Sequence, residues 1–490
     1  MTRLFRAVTV VLLVAYSLAG AESAPPLSLS LEEAIQLAVE RNPDVLGARL
    51  LTRIRQHGVA AETARFGRSL QAGVVHEAQR APSISTLESV ATATSSLVGV
   101  DVGIEQQFAS GAQVGIILRN QRGSSNAAFR LIDPVYESEL SLELNQPLWR
   151  GRGAVNRVDQ QLSENDLQSA HVSQDSQLRD VQARVCGAYD NLYFAMEHRA
   201  VQEQLAQGAR RVLETAQTRA AMGAGPRSEI LQAEVGVARR QEQVIVAEGE
   251  VRRAEDRLKS LTGLDREPSL WDRRLRLTTT PRDDVGDSVD LSAGMARAMA
   301  TDPGLRQGEL RVQGLDLLAR RAEDRARPQI DLSARVGLSG IGSSYGDNGQ
   351  ALSKADGRNW RGGLNLRIPL GADAETETYR QRLLEKEHGV IDLERRRLAV
   401  VQQVREQYRR VTISRQRTEV STLTVDLALQ NVTEVEQRQN LGLSSAREVL
   451  DAQDELAETR DLRLQAVLDH NQARIEWDRL TSVDGLASTD

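Results

Sequence analysis

Two stretches 219 residues apart each close one long helical pattern and open another, and that doubling leaves the chain few folds to choose from. In the later stretch, Arg438–Gln453, Gly442 can take the left-handed backbone that ends a helix without a Cβ penalty. Ser445, with Glu448 three residues on, forms a capping box for the helix that follows. In the earlier stretch, Met222–Ala233, Pro226 suits a first helical turn. Gly223 and Gly442, Leu231 and Leu450, Ala233 and Ala452, and Thr262 and Thr481 all keep the same offset. The chain therefore reads as a tandem duplication of an antiparallel helical hairpin. Composition agrees: 27% of residues are charged and only 3% aromatic, which favours long helices packed on each other over several compact domains.

Residues 1–21 read as an export signal, with Arg3 and Arg6 before an apolar run from Ala7 to Ala19 and small residues at Ala19-Gly20-Ala21. That run is short of the roughly 20 apolar residues a spanning helix needs. An alanine stands where an acylated cysteine would sit, so no lipid anchor is expected. Removing the two arginines takes the formal charge from −6 to −8, which argues against nucleic acid as a partner. The single cysteine, Cys186, rules out an internal disulfide and lies in a helical stretch.

Other features repeat as well. Leu31–Val45, broken at Pro43, returns as Leu291–Leu305, broken at Pro303, with an offset of 260. Proline disfavours helix in the residue before it, so Asn42-Pro43 and Asp302-Pro303 are corners between helices. After each corner comes a further helix, roughly Asp44–Phe66 and Gly304–Arg325, and then the helical spacing gives way to alternation. Ile330, Leu332, Ala334, Val336 and Leu338 share one side of a strand, and Leu364, Leu366, Ile368 and Leu370 do the same. In the first half the matching strands begin at Leu70, Ala72 and Val74 and carry Leu140, Leu142, Leu144 and Leu148. An extra pair, Val98–Ile104 and Val114–Leu118, has no counterpart in the second half. Val100–Gly111 matches Leu140–Gly151 at an offset of 40. Gly340–Arg361, rich in Gly, Ser, Asp and Asn, reads as a solvated loop.

These boundaries predict a first repeat over 22–264 with strands at about 69–148 and a hairpin at 152–262. A linker over 265–290 follows, then a second repeat over 291–486 with strands at about 329–370 and a hairpin at 373–482. Each long helix would run about 67 residues, or roughly 100 Å at 1.5 Å per residue. The expected seams are Leu178, Val181, Val185 and Leu192 in the first long helix and Val401, Val404, Tyr408 and Val411 in the second.

The strands have a second face. Asp101, Glu105, Glu139, Glu143, Asp331, Arg335 and Arg367 alternate with the apolar residues. Apolar outside and charged inside is the pattern of a transmembrane β-barrel, which hides its backbone polar groups by closing on itself. So few strands cannot close around a water-filled lumen, so copies of the chain must share one barrel. The fold class is mainly α with a transmembrane β-barrel: long antiparallel coiled-coil helices in two tandem repeats.

The doubled hairpins, the Asn-Pro and Asp-Pro corners, the Leu-Glu-Leu-Asn-Gln-Pro-Leu strand end at Leu142–Leu148 and the Gly-containing tips resemble the TolC-type outer-membrane efflux proteins. The resemblance covers about residues 28–486. It implies a homotrimer in which each chain gives four strands to a 12-stranded barrel in outer-membrane lipid and its helices to a periplasmic α-barrel. The same resemblance implies a periplasmic adaptor and an inner-membrane pump of RND or ABC type as partners. It points to adaptor docking at the tips: Leu441, Gly442, Leu443 and Ser444 on one, Gly223, Ser228 and Glu229 on the other. The first tip, with Met222-Gly223-Ala224-Gly225-Pro226, departs from the family's Gly-Leu-Ser/Thr turn. Glu448 and Asp451 stand where the family's best-studied members carry acidic residues that narrow the pore. Glu448 also suits a helix N-terminus for its charge alone. The family's latching Arg is replaced by Ser444, with Arg447 nearby.

No catalytic, cofactor-binding or metal-binding set is expected. The histidines His57, His76, His171, His198, His388 and His470 show no metal-ligand spacing and read as solvated. The sequence carries neither a phosphate-cradling Gly-rich loop ending in Gly-Lys-Ser/Thr nor a Gly-x-Ser-x-Gly. The expected function is a passive exit duct. Its rival is a soluble periplasmic adaptor or coiled-coil scaffold without a pore.

Overall fold

Helix starts and stops in this chain are written into single residues, and a computed structural model shows where they take effect. It describes residues 25–82, 90–128, 130–222, 227–281, 288–368, 370, 374–441 and 443–481. The export segment 1–21 and the tip glycines Gly223 and Gly442 lie outside the described residues.

Strand β1 (Leu27–Leu29) leads into α1 (Leu31–Arg41), α2 (Pro43–Ala64), β2 (Arg68–Pro82), β3 (Thr92–Gln107), β4 (Gln113–Ser125) and β5 (Val135–Pro147). Then come α3 (Val158–Ala221), α4 (Arg227–Thr262), β6 (Leu275–Leu277), α5 (Leu291–Thr301), α6 (Pro303–Arg325) and β7 (Gln329–Gly342). The chain ends through α7 (Tyr345–Ser353), β8 (Gly357–Arg367), α8 (Ala374–Asn440) and α9 (Ala446–Thr481). Duplication shows in the lengths: α1 and α5 have 11 residues each, α4 and α9 have 36 each, and α3 and α8 have 64 and 67. Ser30 and Glu33 cap each other at the start of α1, and Asp290 accepts from the Ser292 and Ala293 amides at the start of α5. Pro43 and Pro303 then open α2 and α6.

The chain divides into two compact units: Met1–Leu50, Ser173–Leu305 and Arg397–Asp490 form one, Leu51–Val172 and Arg306–Arg396 the other. The first is helical. Val181, Val185, Tyr189 and Leu192 of α3 are buried against Ala34, Ile35 and Ala38 of α1, Val251 and Leu258 of α4, and the parallel pair β1–β6. Three seam residues of α3 thus lie in the core, with Leu178 partly buried beside them. On α8 the seam is more polar than its spacing suggests. Val404 and Val411 are buried with Val400, Gln407, Ser414 and Thr418, whereas Val401 and Tyr408 are only half-buried. Gln407 donates to the Ala473 carbonyl at 2.8 Å and Thr418 to the Ala466 carbonyl at 3.2 Å. His470, expected in solvent, is buried with Nδ1 3.1 Å from Ser414 Oγ. A hydrogen-bonded partner on the facing helix offsets the cost of its desolvation. The absence of a side chain at Gly294 admits Trp477, whose ring would lie 2.3 Å from a Cβ there.

The second unit holds one antiparallel sheet in the order β2-β3-β4-β5-β7-β8. The unmatched pair β3–β4 therefore sits inside the sheet, between β2 and β5. The family resemblance implies four strands per chain, whereas this sheet has six, the extra pair read from the sequence among them. Gly111 and Gly151, the residues matched at an offset of 40, both have left-handed backbones, with φ of 93° and 81°. The segment Gly340–Arg361 is likewise no solvated loop. β7 runs on to Gly342, β8 starts at Gly357, and α7 lies between them, capped by Ser344. Its Asn348 is buried and donates to Ser138 Oγ at 2.6 Å. Gly340 leaves room for this, since a Cβ there would meet the Asn348 carbonyl oxygen at 2.6 Å. Among the described residues no helix is long and apolar enough to cross a membrane.

Candidate functional site

Alternation along each strand places the two kinds of side chain on opposite faces of the six-stranded sheet. One ladder rung reads Leu70, Ile104, Ile116, Leu142, Val336, Trp360 across all six strands, and the next reads Ala72, Val102, Leu118, Leu140, Leu338, Arg358. Among the described residues nothing covers the Leu70 to Trp360 rung: Leu70 is 72% exposed, Ile116 53% and Trp360 82%. Toward the strand ends that meet α7, the same face changes character, with Arg122 over the ring of Tyr136 and Tyr136 edge-on to Tyr345.

On the opposite face the rung Ser69, Glu105, Gly115, Glu143, Arg335, Arg361 and the rung Gly73, Asp101, Arg119, Glu139, Ser339, Gly357 flank a third, Gln71, Gly103, Ile117, Ser141, Gly337, Asn359. The charges pair across strands. Arg119 Nε lies 3.1 Å from Asp101 and its Nη1 3.6 Å from Glu139, Arg335 pairs with Glu143, and Gln71 donates to Glu105 at 3.1 Å. Asn359 donates to Glu139 at 3.2 Å across Gly337, where a Cβ would strike the Asn359 amide. A concavity of about 740 Å³ opens onto this face, lined among others by Ser69, Glu105, Glu143, Arg335 and Arg361. Burial is thus inverted, with the greasy residues more accessible than the ionic ones.

The second candidate site is where α8 ends and α9 begins. The Leu443 amide closes the end of α8 on the Arg438 carbonyl at 2.9 Å, and Ser445 and Glu448 exchange both bonds of a capping box at 3.3 Å each. Leu441 and Leu443 are 74% and 67% exposed, while Ser444 is buried with its hydroxyl unpartnered. Asp451 is exposed and 3.8 Å from Arg447. The structure brings residues of the two tips together: Glu229, Arg239 and Arg240 of α4 line one hollow of about 430 Å³ with Arg447, Asp451 and Asp454 of α9. Arg240 and Asp454 form an ion pair there. Ser228 is exposed at the start of α4 and does not line this hollow.

Sequence spacing gave no sign of a polar cluster in the same helical unit. His198 Nδ1 of α3 lies 2.7 Å from Asp461 of α9, and Gln202 donates to the other Asp461 oxygen at 3.2 Å. These residues are 263 apart in the chain, beyond any local pattern. The bond to Asp461 raises the His198 pKa above the usual imidazole value. Burial pushes Asp190 up to about 7 and the thiol of Cys186 up to about 12, which leaves that thiol unreactive at neutral pH. Among the described residues no group of His, Cys, Asp and Glu is arranged to hold a metal ion.

Residues 295–485 match the family described as "Outer membrane efflux protein". No curated sequence matches the chain. The fold is that of solved outer-membrane proteins. VceC of Vibrio cholerae superposes with a TM-score of 0.66 at 13% identity, covering 92% of this chain and 95% of that one. For the MtrE channel of Neisseria gonorrhoeae, solved in an open state, the values are 0.65, 16%, 94% and 90%. For the CmeC channel of Campylobacter jejuni they are 0.66, 12%, 93% and 86%.

Proposed function

We propose, for a chain whose second repeat matches the outer membrane efflux protein family and whose fold is that of outer-membrane channels, that it is the outer-membrane exit duct of a tripartite efflux or type I secretion system. The observation that carries this is the inverted sheet. The apolar rungs left open across the sheet find their solvent in lipid, and the ion-paired face finds its own in water. Copies of the chain, three by the family's pattern, share the barrel. The helices extend into the periplasm and supply the bore there. An adaptor docks on the tips, where Leu441 and Leu443 offer bare apolar side chains beside Ser444, with Ser228 and Glu229 on the other tip. Glu448 and Asp451 narrow the closed tip, and docking opens it. The energy comes from an inner-membrane pump of RND or ABC type, and the duct itself moves cargo passively.

Fractionation of cells expressing the full chain tests this. The expected result is an outer-membrane protein that leaves the membrane only in detergent, as an oligomer. Release with periplasmic contents as a monomer soluble without detergent would overturn it, and would favour the scaffold reading.

A further inference from the structure

Among the described residues the sheet of a single chain is open: β2 and β8 each have one neighbour. We propose that three copies join β8 of one chain to β2 of the next, so that the barrel has 18 strands rather than the 12 the family resemblance implies. This rests on the outer-membrane reading above and goes beyond it in strand number, joint and width.

Three features of the sheet support the joint. The first is direction. Six antiparallel strands leave β2 and β8 running oppositely, so each β8–β2 joint is antiparallel and the alternation continues around the ring.

The second is slope. The outward apolar run of β2, Leu70, Ala72 and Val74, ends at His76 and is centred one outward step to one side of the rung that links Leu70 to Trp360. Those of β8, from Trp360 to Leu366, centre near Leu364, two steps to the other side. The band thus drifts about six residues, or ~20 Å, over five strand spacings of ~4.8 Å, a slope of roughly 40°. A band lying in the membrane plane then tilts the strands by the same angle, inside the range of roughly 35–45° found in transmembrane barrels.

The third is the register that this slope selects. Continuing it by one more outward step sets Ala72 of the next copy against Leu366, and hence Val74 against Leu364. On the inner face the same register sets Glu77 against Arg361, two charged residues with no ion-pair partner among the described residues. It also sets Arg358 beside Arg80 on the outer face, both exposed, where water and headgroup phosphates screen them. Eighteen strands tilted by about 40° enclose a backbone cylinder of ~36 Å diameter, against ~24 Å for twelve. The cross-section is about 2.3-fold larger, in the range where barrels hold an open aqueous channel.

Disulfide trapping in the full-length chain tests the joint in a Cys186→Ala background. Leu364→Cys is combined with Val74→Cys, Ala72→Cys or Leu70→Cys, and oxidised in outer membranes. The expected result is a ladder of linked dimers and trimers, strongest with Val74→Cys. No intermolecular link from any of the three pairs overturns the joint. Leu70→Cys with Leu142→Cys probes the strand count. These sites lie three strand spacings, ~14 Å, apart in this sheet, so an intramolecular link between them would show β2 pairing directly with β5 and sink the 18-stranded barrel. Fractionation of the same variants reads the outer-membrane assignment separately, so a duct with a different joint remains distinguishable from no duct.

Discussion

The sheet unit and the helical unit sort the same residue types in opposite directions. Leu142 and Ile116 stand bare on the sheet while Glu143 and Arg335 pair on its sheltered side. In the helical unit Leu192 and Val185 are fully enclosed, and charges such as Arg417 and Asp469 pair at 3.0 Å on the exposed surface. Both arrangements obey one rule, that apolar surface avoids water, so the inversion reports a change of solvent rather than a change of physics. On the proposed reading the helical unit is built for water outside, the sheet for lipid.

The comparison can be attacked most directly by swapping sizes and charges. Leu192→Ala should cost about 3 kcal/mol, since it removes transfer energy and leaves a cavity. Leu142→Ala, which opens no cavity, should cost about 1 kcal/mol or less. Thermal unfolding of the detergent-solubilised protein reads both, and equal losses would erase the distinction. Charge insertion sharpens it: Ile116→Arg on the lipid face should cost about 2–4 kcal/mol near mid-membrane, whereas Gln71→Arg on the ionic face should be nearly silent.

The helical unit has its own exception in Asp190, a carboxyl enclosed beside Cys186. Its folded pKa of about 7 lies above the unfolded value of 3.8, so the folded state holds the extra proton between those limits. Stability should therefore fall as pH rises from about 4 to about 7. Asp190→Asn should flatten that fall and gain on the order of 1–3 kcal/mol at pH 8. A pH series of melting temperatures for both proteins checks it.

Smaller effects follow at the helix contacts and the tip. The raised pKa of His198 makes its bond to Asp461 fully effective below about 6.5, with the gain lost as pH rises through the folded value. Half exposure limits it, so His198→Gln should cost under about 1 kcal/mol at pH 5.5 and nearly nothing at pH 8.5. Glu448→Ala should lose about 0.5–1 kcal/mol with its capping box, and Asp451→Ala should lose nothing measurable. If both acids line the closed tip, both variants weaken cation selectivity in planar bilayers although only one changes stability. A selectivity change in neither would remove them from the pore.

Periodicity, proline corners and cap residues are local properties of the chain, and they were enough to read the paired long helices, the capping box at Ser445 and Glu448, and the two faces of each strand in the six-stranded sheet. Each depends on neighbours within a few residues, where spacing alone decides which side chains share a face. Tertiary structure decided what depends on distant partners. It set β3–β4 between β2 and β5, folded α7 onto Ser138, buried His470 against Ser414, and joined His198 to Asp461. A strand's alternation says which face is greasy but not which strand lies beside it, and a polar residue's identity does not say whether a partner waits across the interface. Those outcomes belong to the packed chain, because only contact between remote segments sets their energies.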